Sequence, residues 1–194
     1  GAVWDLNDQL TFAVDYQSRV WMQRFEKYTH AFPSTVDRPP VFQVGVDIKK
    51  VLPNTIVALD YKFINEEAVE TMELQPASDP GGFGWKNIHV VALGLQHQFN
   101  SALTLRAGWS YGNSPIDDEH VFANVLFPAI VEHHFNAGAS MKFSNSLEFG
   151  ASAYITPMTK RGDSGNSDSF SAADKGAVLK HQQFGAQLSV NYSF

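Results

Sequence analysis

The sequence predicts an all-β protein, an antiparallel transmembrane β-barrel, and three observations predict it. Apolar residues alternate with small or polar ones over segments of strand length, the segments are joined alternately by short turns and long loops, and charges inside the segments keep to one phase. Composition sets the bounds. In 194 residues, 44% hydrophobic and 18% charged is too apolar for disorder, and no run of about eighteen apolar residues offers a helical span. Strands remain as the route across a membrane. A net charge of -6, from 14 Lys and Arg against 20 Asp and Glu, excludes the basic face that nucleic acid requires. With no Cys there is no disulfide, thiolate metal site or thiol nucleophile.

The elements follow in order, and residues 1–194 read as a single barrel region. Residues 1–4 read as the tail of a preceding strand, because residues 5–9 resemble the turns found later in the chain. About eight strands come next, near residues 10–20, 41–50, 55–64, 87–99, 103–111, 133–143, 147–157 and 183–194. Their apolar phases are, for example, Leu10, Phe12, Val14 and Tyr16 in the first, and Phe184, Ala186, Leu188, Val190, Tyr192 and Phe194 in the last. The connections sort by length. Residues 51–54, 100–102 and 144–146 are short turns, whereas 21–40, 65–86, 112–132 and 158–181 are long loops. A soluble sandwich has no reason to sort its loops this way, but a barrel with short turns on one side of a membrane and long loops on the other does. The turns are also alike in sequence: Leu6-Asn7-Asp8-Gln9-Leu10, Phe99-Asn100-Ser101-Ala102-Leu103 and Phe143-Ser144-Asn145-Ser146-Leu147.

Charge and aromatic placement agree with this topology. Asp15, Asp47, Lys49, Asp60, Lys62, Arg106, Lys142 and Glu148 all fall on the polar phase, as they must if the other phase meets lipid, where Lys or Arg at mid-depth costs about 2–4 kcal/mol. Asp15, Asp47, Asp60 and Arg106 are candidates for a polar network in the lumen; the plainer reading is a solvated strand face. Tyr16, Phe63, Trp109 and Tyr111 fall near the long-loop rim, and Phe12, Phe99, Phe143, Tyr192 and Phe194 near the short-turn rim, as two interfacial girdles would.

Residues 103–116, Leu-Thr-Leu-Arg-Ala-Gly-Trp-Ser-Tyr-Gly-Asn-Ser-Pro-Ile, together with Pro128-Ala129-Ile130-Val131-Glu132-His133-His134 and Gly82-Phe83-Gly84-Trp85, resemble the C-terminal portion of the FadL/TodX family of outer-membrane transporters for long-chain fatty acids and aromatic hydrocarbons. The terminal Tyr192-Ser193-Phe194 resembles the aromatic signal read by the barrel-assembly machinery. The resemblance implies a larger barrel of about 14 strands, with a plug segment and the remaining strands in an N-terminal half outside this sequence, and passive uptake of hydrophobic small molecules. It implies no cofactor. It also implies that the loop at 21–40 builds half of a surface groove for an apolar ligand. That loop carries Trp21, Met22, Phe25, Tyr28 and Phe32, a high apolar count for a segment in water and so either a contact site or a small loop core. A second apolar group, Val121, Phe122, Val125 and Leu126, has helical spacing after Asp117-Asp118-Glu119 and reads as a ligand contact or as rim packing.

Catalytic and metal motifs are not found. There is no Gly-x-Ser-x-Gly elbow and no His-Glu-x-x-His helix, and on a strand His133 and His134 point to opposite faces. Residues 163–168 loosely resemble a calcium loop without its bidentate Glu and read better as a Gly/Ser loop. The partners that follow are membrane lipid, a hydrophobic small molecule and the assembly machinery. A rival reading is a small barrel that closes alone, or a split half, serving as an anchor or scaffold.

Overall fold

The computed structural model describes residues 1–29, 34–75, 82–164 and 176–193, so Phe32 and Phe194 lie outside the described residues. Among the described residues, nine strands form one antiparallel sheet in chain order: β1 (Ala2–Asp5), β2 (Leu10–Gln17), β3 (Val41–Lys49), β4 (Thr55–Ile64), β5 (Ile88–Gln98), β6 (Leu103–Gly112), β7 (His133–Lys142), β8 (Leu147–Gly162) and β9 (Val178–Tyr192). Each strand pairs only with its neighbours in sequence, and the sheet is open between β1 and β9.

Register makes the two phases into two faces. One outward row, Trp4, Phe12, Val46, Leu59, Leu93, Trp109, Phe135, Ile155 and Phe184, passes through all nine strands as successive cross-strand partners. The adjacent inward row, Asp5, Thr11, Asp47, Ala58, Gly94, Gly108, Asn136, Tyr154 and Gly185, is small or polar throughout apart from its tyrosine. Both rows climb from the short-turn end of β2 to the long-loop side of β9. That drift is the stagger a tilted barrel wall requires. Phe184 is 86% exposed and Leu188 84%, which is expensive in water and favourable in lipid.

The repeated turn sequences have a common geometry. Asn7 Oδ1 accepts from the N–H of Gln9 at 2.8 Å and of Leu10 at 3.0 Å, Asn100 Oδ1 accepts from Ala102 at 2.9 Å and Leu103 at 2.8 Å, and Ser144 Oγ accepts from Ser146 at 3.2 Å. Each is a side-chain turn that closes the hairpin, the reason Asn and Ser stand there. In the β3–β4 turn, Lys50 and Asn54 take φ of 62° and 57°.

Long loops close over the other end, and the buried core lies there rather than between strands. Ile116, Val121 and Ile130 are fully buried together, with Trp85, Ala129 and Leu179 against them. Strand lengths near this end depart from the sequence reading. β2 ends at Gln17, short of its expected end, whereas β8 and β9 run past theirs, to Gly162 and from Val178. A bulge sits on the way: Pro157 and Met158 stand opposite Gln182 alone. Proline has no N–H for the ladder, so a bulge is where a strand tolerates it. The helical spacing of residues 121–126 does not make an α-helix; only a single 3-10 turn forms, Phe122–Asn124. The Asn124 and Val125 N–H groups bond three residues back, to Val121 O and Phe122 O, while the His120 carbonyl that an α-helix would give to Asn124 N–H is taken by the Asn124 side chain.

Candidate ligand-binding surfaces at the long-loop end

The inward face and the loops above it are the concave parts of the molecule. Of the four proposed lumen charges, Asp15 accepts from Gln17 Nε2 at 3.1 Å. Arg106 donates through Nε to Gln96 Oε1 at 2.8 Å and through Nη1 to Ser140 Oγ at 3.1 Å. Asp47, Asp60 and Arg106 line one common hollow. No ion pair among the described residues joins any two of the four. Asp60 leans over Gly45, where an added Cβ would collide with its carboxylate, so the glycine makes room for an inward charge.

The loops are knitted by buried polar contacts. In the first loop, residues 18–40, Asp37 is 3% exposed and holds Arg19 through Nη2 at 2.6 Å and Nε at 2.7 Å, while its other oxygen accepts from Met22 N–H at 2.8 Å. Burial works against its charge, but the Met22 N–H, Thr35 and Arg19 together outweigh it and hold the carboxyl below its ordinary range. Arg19 also donates to Ala68 O at 2.6 Å, and Thr71 Oγ1 to Thr35 O at 2.8 Å, tying this loop to residues 65–87. Beside that junction Glu66 is 7% exposed and its Oε2 has no partner among the described residues; burial raises its carboxyl to about 7. On the other side of residues 65–87, Trp85 Nε1 donates to Asn124 Oδ1 at 2.7 Å, and Asn124 Nδ2 donates to Phe83 O and His120 O, each at 2.8 Å. Gly84 has φ of +65° and lies so close to the His120 ring that a Cβ would come within 2.9 Å. Glycine satisfies both demands.

Above the bulge in β8, which turns Arg161 inward, the upper β8–β9 hairpin meets the loops. Leu179 joins the loop core, its cross-strand partner Arg161 pairs with Glu132 at 3.4 Å, and His181 Nδ1 lies 2.8 Å from Pro128 O. All three face inward over residues 113–132.

The sequence-derived ligand residues divide into two groups. Trp21, Met22, Phe25 and Tyr28 are exposed together on the first loop, with Trp21 at 74%. On residues 113–132, Val125 and Leu126 are exposed, Leu126 at 82%, and Phe122 is half-buried with its N–H held by Asp163 at 2.7 Å. Residues 65–87 are bonded to both loops and stand between them. Beneath the canopy is a surface that the motif reading missed: a hollow of about 620 Å³ whose apolar lining comes from Ile88, Val90, Pro115, Ala129 and Val131, with Tyr154 below and with Glu132, His134, Asn136, His181 and Gln183 as polar lining. One signal for it was in the sequence. Ile88 and Val90 are apolar residues on the inward phase of β5, the phase that is small or polar deeper in the barrel.

Comparison with known proteins agrees with this geometry. The P. putida toluene transporter TodX is similar with a TM-score of 0.69 at 15% identity, over 99% of this chain and 47% of that one. A Pseudomonas aeruginosa FadL homologue is similar with a TM-score of 0.70 at 12% identity, over 98% of this chain and 50% of that one. No family model and no curated protein sequence matches. The chain spans about half the length of these two structures. By its fold it is the counterpart of about half of a FadL or TodX outer-membrane barrel, in keeping with the C-terminal portion that the sequence resembles.

Proposed function

We propose that the chain is part of a bacterial outer-membrane barrel that takes up hydrophobic small molecules, of the class of long-chain fatty acids or aromatic hydrocarbons, by binding and passive diffusion. The observation that carries this reading is the hollow lined mainly by apolar surface, from Ile88, Val90, Pro115, Ala129 and Val131, at the loop end of an inward face made largely, though not wholly, of small and polar residues. An apolar molecule gains there what it loses by leaving water, roughly 25 cal/mol per Å² buried. The likeness to TodX and a FadL homologue supports the same reading. Trp21, Met22, Phe25 and Tyr28 form the outer collecting surface, and Val125 and Leu126 the opposing lip. In lipid the free edges of β1 and β9 need partners for every N–H and C=O, which strands of an N-terminal half supply, and Tyr192 and Phe194 are read by the assembly machinery.

Titration with a long-chain fatty acid, followed by Trp fluorescence, tests the reading. Val131→Asp and the pair Trp21→Ala with Phe25→Ala should each weaken binding at least tenfold, about 1.4 kcal/mol. Unchanged affinity in both, with the barrel still folded, would overturn it.

A further inference from the structure

Above the bulge, Lys160 and Lys180 are direct cross-strand partners in the β8–β9 hairpin. Their orientation follows from their neighbours. Arg161 and Leu179 face inward onto Glu132 and the loop core, and adjacent positions in a strand point to opposite faces, so both lysines point outward. Both are exposed, and no ion pair among the described residues involves either. Like charges directly opposite on one face, with Cβ atoms about 5 Å apart, repel. An anion between them removes that repulsion.

Their height along the wall says which anion. The last outward apolar pair is Ile155 with Phe184, and Lys180 lies four residues beyond Phe184, about 13 Å along the strand. Next to this region, on β7, Phe135 and His133 stand with Trp109 and Tyr111 in an outward aromatic cluster, with Trp109 Nε1 donating to His133 Nδ1 at 3.2 Å. Aromatic side chains of this kind mark the membrane interface. The lysine pair therefore stands just beyond it, at headgroup depth.

We propose that Lys160 and Lys180 clamp a phosphate of an outer-leaflet lipid headgroup against the outside of the β8–β9 hairpin. The proposal rests on the reading of the chain as an outer-membrane barrel. Each lysine near an anionic lipid surface adds modestly to attraction, and two converging on one phosphate amount to about a tenfold gain in affinity. The bulge is part of the device: by resetting the phase of β8 it turns Lys160 outward and Arg161 inward.

The test measures binding of lipopolysaccharide, intact or enzymatically dephosphorylated, to the detergent-purified protein, comparing wild type with Lys160→Gln plus Lys180→Gln and with Lys160→Arg plus Lys180→Arg. Expected is about tenfold weaker binding in the Gln pair, near-wild-type binding in the Arg pair, equal weak binding of dephosphorylated lipid to all three, and weakening by salt. Equal binding of intact lipid by wild type and the Gln pair, both folded by heat-shifted mobility, would overturn the proposal. So would competition by inorganic phosphate at comparable concentration, which assigns a free-anion site, or lower lipid-free stability of the Gln pair, which assigns the lysines to an acid within the chain. If wild type itself shows no heat-shifted folded form, the barrel reading fails rather than the clamp.

Discussion

Trp85 and Asn124, 39 residues apart, meet through a 2.7 Å hydrogen bond from the indole N–H to the Asn oxygen, and Asn124 is wholly buried. Its amide also serves Phe83 O and His120 O, so a single side chain joins two long loops over the hollow.

Asn124→Ala leaves the Trp85 N–H and two carbonyls unpaired, at about 1–3 kcal/mol each where they stay buried. The expected outcome is local opening of residues 82–87 and 113–132, read as faster amide exchange there, with β6 and β7 unchanged. Exchange that rises uniformly along the sheet would show that the canopy is not a separate unit.

Strand phase predicts two classes of variant. Val190→Asp and Leu105→Arg place a charge on the outward face and should block insertion, with Arg near mid-depth costing about 2–4 kcal/mol. Gln187→Ala and Thr104→Ala, on the inward face, should fold normally. Heat-shifted electrophoretic mobility separates the classes, and equal tolerance would contradict the two faces.

Glu66 predicts how the loops respond to pH. Its carboxyl is raised to about 7 by burial, so folding favours the protonated form. The junction between residues 18–40 and 65–75 keeps its full stability below the ordinary carboxylate range and loses it progressively as pH rises to about 7, by roughly 3 kcal/mol at most. Glu66→Gln should abolish that dependence. The measurement is amide exchange of residues 65–75 between pH 5 and 8, corrected for intrinsic rates; a flat wild-type profile would remove Glu66 as the cause.

Topology gives the last expectation. Protease added to intact cells should cut between Gly162 and Val178, the connection at the long-loop end, and not at residues 144–146. Cleavage at the short turn would invert the orientation.

What the sequence determined by itself was local and periodic. Two-residue alternation separates Phe184, Leu188 and Val190 from Gln187, Ser189 and Asn191 with no knowledge of pairing, because consecutive strand residues must point to opposite faces. The Asn7 and Asn100 turns were legible for the same reason: their hydrogen bonds span two or three residues. Tertiary structure alone decided what lies between distant segments. Ile116, Val121, Ile130 and Leu179 share a core although no period links them, and Leu179 lies on the inward phase of β9, which is small or polar deeper in the wall, because at this height that phase meets the loops. The Lys160 and Lys180 pair likewise exists only once register is known. Side-chain phase is a property of the backbone of each strand, whereas register across strands and burial beneath loops depend on which segments meet.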